Sequence, residues 1–343
     1  MKLDRDYGEK VVFFPGRTPD RIGRLGHYAQ VLRCTPAREV YYRTVRKLYR
    51  EFSPHQIPFP QYLHLEVTNA CNMQCVMCPR ENMDRPVGFM EWSLFEKIID
   101  EAALRKKFVE GLALMGLGEP LLSRDLIRMS QRAKQAGFTH VYTSTNALLL
   151  DRGKAEEIIE RSGLDRVIFS VDGATRETYE RIRRGGDHAT VVDNIEGFLD
   201  LKRSLGSSTP RTTLQILVME DTREELEDFL DLWVPRMGEG DDILVKHVDT
   251  FGGQVEDRRI DREGEPAERF ACRQLWKDLS ISWDGRVTVC CKDVLYKLAV
   301  GNVREHALEE LWRGKRWEAI RKVHLEGRWD SIHPCDGCNE WYL

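Results

Sequence analysis

The chain has 343 residues, 41% of them hydrophobic, enough for one large domain plus a smaller one. Charged residues make up 31% and nearly cancel, leaving a net charge of -4, so the basic footprint of a nucleic-acid binder is missing. No stretch approaches the roughly 20 apolar residues of a membrane span, and Met1 to Pro15 has neither the apolar core nor the small-residue site of a cleaved signal. The nine cysteines fall mostly in two groups, a pattern that favours metal binding in a reducing cytoplasm over disulfides.

Residues 1–60 read as a helical N-terminal extension. Val40, Val45, Leu48 and Tyr49 recur at helical spacing between Glu39 and Phe52, and Pro54, Pro58 and Pro60 break the pattern. From 61 to 250, short apolar runs alternate with amphipathic helices. Strands are expected at Tyr62–Val67, Val109–Met115, His140–Ser144, Arg166–Val171, Thr213–Val218 and Ile243–Val248. Helices are expected at Leu94–Leu104, Leu126–Ala136 (stopped by Gly137), Lys154–Glu160, Thr175–Ile182, Val191–Leu205 and Glu224–Val234. Six βα units with short connections imply a parallel sheet with right-handed crossovers, an α/β fold of the partial (β/α)6, TIM-like barrel type. Residues 251–268 read as a linker, with Gly252-Gly253 and the charged run Asp257–Glu265. Residues 269–343 read as a small α+β unit.

Chemistry in such sheets gathers at the C-terminal strand ends. The loop after the first strand carries Cys71, Cys75 and Cys78 in a CxxxCxxC spacing. Three thiolates hold three irons of a [4Fe–4S] cube and leave the fourth open to a cofactor or substrate, whereas an electron carrier normally uses four. Zinc sites pair CxxC with a second CxxC or two histidines, and nothing near this loop supplies them.

These residues resemble the radical S-adenosylmethionine (SAM) superfamily, over Tyr62 to Val248. The resemblance implies SAM bound at the open iron and reductive cleavage to a 5′-deoxyadenosyl radical. It also implies cofactor contacts. Gly116-Leu117-Gly118-Glu119-Pro120 is similar to the family's GGEP motif, with Leu117 in place of a glycine, and so assigns Gly116, Gly118 and Glu119 to the methionine amino group. Asn146 resembles a ribose contact, Ser170 and Arg183 the pair on the methionine carboxylate, and Met77 the apolar residue beside adenine.

The second group is Cys272, Cys290, Cys335 and Cys338, a complete set of four that suits either structural zinc or a closed cluster. Leu279–Trp283 and Arg286–Cys290 read as a hairpin turning at Asp284-Gly285. Alternation puts Cys291 in the core beside Val287 and Val289, and leaves Cys290 free to ligate. The arrangement resembles the twitch domain, a shortened SPASM domain, and implies an auxiliary [4Fe–4S] cluster. Within the family, the order and spacing of these four cysteines resemble those of the aminocyclitol dehydrogenase of butirosin biosynthesis.

Two clusters flanking a substrate imply a radical SAM oxidoreductase of the dehydrogenase type. It would oxidise a polar small molecule, such as a sugar or aminocyclitol alcohol to a ketone, with the auxiliary cluster accepting an electron. A reductant protein such as flavodoxin or ferredoxin would serve it. A peptide-modifying enzyme keeps the same cofactors, and a non-catalytic zinc or iron–sulfur protein is the alternative of another class. Along the first strand Tyr62, His64 and Glu66 alternate against Leu63, Leu65 and Val67, which puts His64 and Glu66 in the lumen as candidate proton acceptors. His247 and Asp249 end the sixth strand near the linker to the second domain.

Overall fold

The structure, a computed structural model, describes residues 7–14, 57–258 and 269–341. The helix expected between Glu39 and Phe52, Cys34, and the charged end of the linker lie outside these residues.

The strands are β1 (Val11–Phe14), β2 (Tyr62–Leu65), β3 (Gln74–Cys75), β4 (Gly111–Ala113), β5 (Val141–Thr145), β6 (Arg166–Ser170), β7 (Arg183–Arg184), β8 (Arg211–Val218), β9 (Asp242–His247), β10 (Asp278–Ile281), β11 (Arg286–Thr288) and β12 (Ala299–Asn302). The helices are α1 (Trp92–Ala103), α2 (Leu126–Gln135), α3 (Arg152–Glu156, continued by a π turn over Glu157–Arg161), α4 (Arg176–Ile182), α5 (His188–Ser204), α6 (Glu220–Arg223), α7 (Leu226–Trp233), α8 (Leu308–Trp312) and α9 (Lys315–Leu325). Ten strands form one sheet in the order β1-β9-β8-β6-β5-β4-β2-β10-β11-β12, while β3 and β7 make a separate ribbon.

The central strands β2, β4, β5, β6, β8 and β9 are all parallel and are the six strands expected from the sequence. Their order follows the chain, as right-handed βα crossovers dictate. The core lies between the sheet and its helices. Leu63, Leu65 and Val67 are fully buried on the helix side, against a cluster that includes Phe95, Ile98 and Ile99 of α1 and Phe229, Leu230 and Trp233 of α7. Each such apolar side chain contributes about 1.5–3 kcal/mol on leaving water. Gly137 caps α2 in the left-handed region, at φ +92°.

Both edges differ from the sequence reading. The N-terminal extension is not helical throughout: Val11–Phe14 is a strand that pairs parallel with β9. At the opposite edge the C-terminal unit is continuous with the barrel, because β10 pairs parallel with β2 over Tyr62–Leu65. The unpaired edges of an open barrel would otherwise expose a row of backbone donors and acceptors. The β10–β11 hairpin also turns differently. Ile281 registers against Val287 and the Ser282 amide donates to the Arg286 carbonyl at 2.9 Å. The loop is therefore Trp283-Asp284-Gly285, three residues with Gly285 left-handed at φ +92°, and not a two-residue Asp-Gly turn.

Candidate active site

The loop after β2 is closed on itself before any cofactor is considered. The Thr68 hydroxyl donates to the Gly88 carbonyl at 2.7 Å, and the Asn69 amide group donates to the Pro86 carbonyl and accepts from the Gly88 amide, both at 2.8 Å. Arg80 Nε donates to the Asn69 carbonyl at 3.0 Å. Between these ties β3 pairs antiparallel with β7, with Cys75 in register against Arg183. The Cys78 amide folds back onto the Cys75 carbonyl at 3.0 Å. Cys78 thus lies close enough to feel the charges of Cys75 and Cys71, and Cys75 that of Cys71. Burial pushes all three thiols up, Cys78 to about 11. Such thiols are poor free nucleophiles, and a thiophilic cation would compensate their buried charge.

The second expected segment, Gly116 to Pro120, is stitched to this loop. The Glu119 amide donates to the Ala70 carbonyl at 2.8 Å. A Cβ on Gly118 would lie 2.4 Å from the Thr68 carbonyl oxygen, and one on Gly116 would lie 2.5 Å from Glu66 Cγ. The glycines are therefore required by the protein's own packing as well as by any ligand. Glu119 is buried, and its carboxylate accepts from the Leu121 amide (3.0 Å), the Thr145 hydroxyl (2.7 Å) and the Asn146 amide (2.8 Å). Burial raises its pKa against these donors. Glu119 acts as a joint between the ends of β4 and β5.

Asn146 follows β5 and its side-chain NH₂ donates to Asn72 Oδ1 at 2.8 Å, beside Cys71. Ser170, at the end of β6, has its hydroxyl 3.2 Å from that of Ser144. Arg183 is buried, pairs with Asp172 at 2.6 Å and lies 3.8 Å from Cys75 Sγ. Its buried Nε has no hydrogen-bond partner among the described residues, nor has the Asn72 side-chain nitrogen. Met77 packs with Ile182, Met219 and Val248 into an apolar wall next to Cys75. The parallel sheet thus gathers all these residues at one end. They include unfilled donors near the three thiols and an apolar surface, which fits a zwitterionic ligand bearing a flat heterocycle.

The four C-terminal cysteines also converge. Cys272 feels the charges of Cys338 and Cys335, and Cys290 those of Cys291, Cys272 and Cys338. Burial pushes Cys335 up to about 12 and Cys338 to about 11. The amides of Lys292 and Glu340 point at Cys290 Sγ (3.3 Å) and Cys338 Sγ (3.4 Å). Amide donors of this kind favour thiolate-bound clusters and tune their potentials. The Thr250 hydroxyl donates to Asn339 Oδ1 at 2.7 Å, and Gly253 packs backbone to backbone on Gly337, so the chain after β9 is pinned to the CxxC turn. Lys292 forms ion pairs with both Asp249 and Glu340, all three largely buried.

The two lumen residues expected to accept protons are already engaged. Glu66 takes a bidentate grip from Arg85, at 2.6 and 2.5 Å, and its oxygens also face the Leu117 and Trp283 amides. The Arg85 guanidinium lies 4.9 Å from the Tyr296 ring centre. His64 faces Asp278, and burial, with Lys292 adding to it, lowers its pKa to about 4. Cys291 is not a core residue as alternation implied; its thiol points at Asp278 Oδ2, at 3.6 Å. Strand geometry ends at Thr288, so alternation no longer holds at Cys291. The sequence reading also passed over Arg85, Asp172 and Lys292. Their ion-pair partners, Glu66 for Arg85, Arg183 for Asp172, and Asp249 and Glu340 for Lys292, stand at no spacing that a motif marks.

The fold and its two thiol sets define an iron–sulfur protein of the barrel type that binds a small cofactor at the strand ends. Residues 65–232 match the radical SAM superfamily and residues 272–339 the SPASM iron–sulfur cluster-binding domain, so the chain carries a radical SAM domain followed by a SPASM or twitch domain. Its cofactors are accordingly a [4Fe–4S] cluster with SAM and an auxiliary iron–sulfur cluster. The chain is 25% identical over 325 residues to the tungsten-containing aldehyde ferredoxin oxidoreductase cofactor-modifying protein of Pyrococcus furiosus, covering 81% of this chain and 89% of that one. Among solved structures it is similar to BtrN in complex with AdoMet and 2-DOIA, with a TM-score of 0.56 and 17% identity over 82% of this chain and 94% of that one. It is also similar to Streptococcus suis SuiB bound to its precursor peptide SuiA, with a TM-score of 0.64 and 14% identity over 82% of this chain and 70% of that one. No helix among the described residues is long and apolar enough to cross a membrane.

Proposed function

We propose that this protein oxidises a polar small molecule, a sugar or aminocyclitol alcohol going to the ketone, with SAM consumed. The observation that carries the reading is the junction of β2 with β10. One strand leads into the three-cysteine loop, and its parallel neighbour leads into the hairpin bearing Cys290. A set of three thiols and a set of four are thereby attached to adjoining strands of one sheet. When bound, the loop cluster with SAM supplies a carbon radical that removes a hydrogen atom, and the auxiliary cluster accepts an electron.

The chain's own residues position and shield. Cys71, Cys75 and Cys78 would hold the first cluster, and Cys272, Cys290, Cys335 and Cys338 the second. Arg183 keeps one donor free for a carboxylate, and Asn146 and Ser170 offer polar edges along the neighbouring strand ends. Met77 and its apolar neighbours keep water from the reacting carbon. Oxidation of an alcohol would remove two hydrogens, one as an atom from carbon and one as a proton from oxygen, and the electron left over is the one the second cluster, when bound, would take. The likeness to BtrN in complex with AdoMet and the small molecule 2-DOIA supports this reading, as does the name of the Pyrococcus relative, a cofactor-modifying protein. A flavodoxin or ferredoxin in the cytoplasm would supply the first electron.

Peptide modification is the second reading, favoured by the likeness to peptide-bound SuiB. Anaerobically reconstituted protein, given SAM, reductant and candidate polyols or peptides, separates the two by mass spectrometry. A polyol lighter by two hydrogens, formed with 5′-deoxyadenosine, supports oxidation. A modified peptide overturns it in favour of the second reading. Zinc as the only bound metal, with no nucleoside formed, overturns both.

A further inference from the structure

We propose that His64, Asp278 and Cys291 form a binding site for a divalent transition-metal ion, best matched by Zn²⁺ and distinct from both cysteine sets. The three donor atoms lie within 4.8 Å of one another, with His64 Nε2 3.8 Å and Cys291 Sγ 3.6 Å from Asp278 Oδ2. Ligands held at about 2.0–2.3 Å on a tetrahedral ion stand roughly 3.3–3.8 Å apart, so the two separations from Asp278 Oδ2 already match, and the His64-to-Cys291 separation has to close by at most about 1 Å. One nitrogen, one oxygen and one thiolate sulfur suit Zn²⁺ better than the harder Mg²⁺ or Ca²⁺.

The fold builds this grouping from three segments. His64 is on β2 and Asp278 on β10, its parallel neighbour, while Cys291 lies three residues past β11. Parallel register places Ser280 opposite His64 and on the same face as Asp278. The Ser280 hydroxyl is buried, with 5% of the residue exposed, and has no hydrogen-bond partner among the described residues. A metal-bound water at the fourth position would satisfy it.

The test uses the cluster-loaded protein, anaerobically reconstituted, equilibrated with zinc sulfate and desalted. About one zinc ion per chain is expected beside a full complement of iron. Its X-ray absorption edge should show one sulfur and the remaining ligands as nitrogen or oxygen. C291S and H64A should weaken zinc binding by about tenfold or more while keeping the iron. If a variant loses iron, the zinc edge of the unsubstituted protein decides alone. No retained zinc in iron-replete protein, or a first shell of four sulfurs, overturns the proposal. So does undiminished zinc in C291S that keeps its iron.

Discussion

Glu66 and Arg85 meet in a buried bidentate ion pair, 2.6 and 2.5 Å across, that joins the first barrel strand to the far end of the cysteine loop. Removing one partner strands the other charge in a dry site, which typically costs about 3–5 kcal/mol. R85M is expected to lower unfolding stability by that amount in urea titrations, and E66L/R85M to recover part of it. A double variant no more stable than R85M would show that the pair's charge is not what makes the single change costly.

Single cysteine substitutions should divide the two cluster sites. C75A is expected to lose about half the iron and all 5′-deoxyadenosine formation. C335A is expected to lose a similar share of iron yet still form the nucleoside without oxidised product. Iron assays and chromatography of the quenched reaction read both outcomes.

Gly118 and Gly197 give a matched pair of glycine tests. A methyl group on Gly118 meets the Thr68 and Ala70 carbonyls, which cannot swing away, and G118A should cost about 1–3 kcal/mol and loosen iron in the first site. Gly197 sits on the exposed face of α5 with nothing within 4 Å of a new Cβ. G197A should stabilise by up to about 1 kcal/mol, read from the same urea curves.

Lys292 governs an acid-side stability change. Burial works against the charge of Asp249, but Lys292 and Lys246 overcome it and hold its carboxyl below the ordinary range. A carboxyl depressed on folding contributes stability that is full above its unfolded value, about 3.9, and is lost as pH falls through the folded value. K292M removes the main support and leaves burial to raise the Asp249 pKa, so the variant should be less stable than the parent at pH 7 and should regain stability, not lose it, as Asp249 takes up a proton on acidification. Urea midpoints measured from pH 7 down to pH 4 would reveal the difference; superimposable profiles would count against the ion pair.

Much of this protein could be read along the chain. The six βα units, the Gly137 stop and both cysteine sets depend on periods of two or 3.6 residues and on spacings within a loop, which neighbouring residues alone dictate. Asn146 and Ser170 fell at strand ends for the same reason, and Arg183 at the end of α4. The strand at Val11–Phe14 was missed because four apolar residues gain strand character only by pairing with β9. Cys291 was misplaced because alternation was carried past the last paired residue of β11.

What the sequence by itself determined is the inventory: an α/β repeat, three thiols where an iron can stay open, and four where none does. Only the tertiary structure decided which groups are spent on holding the site. It tied Glu66 to Arg85 and Asp249 to Lys292, and it brought His64 and Asp278 onto adjoining strands with Cys291 beside them. The reason is distance along the chain. Local order follows from backbone geometry over a few residues, but a charge pair or ligand set between remote segments exists only once the sheet has fixed its register.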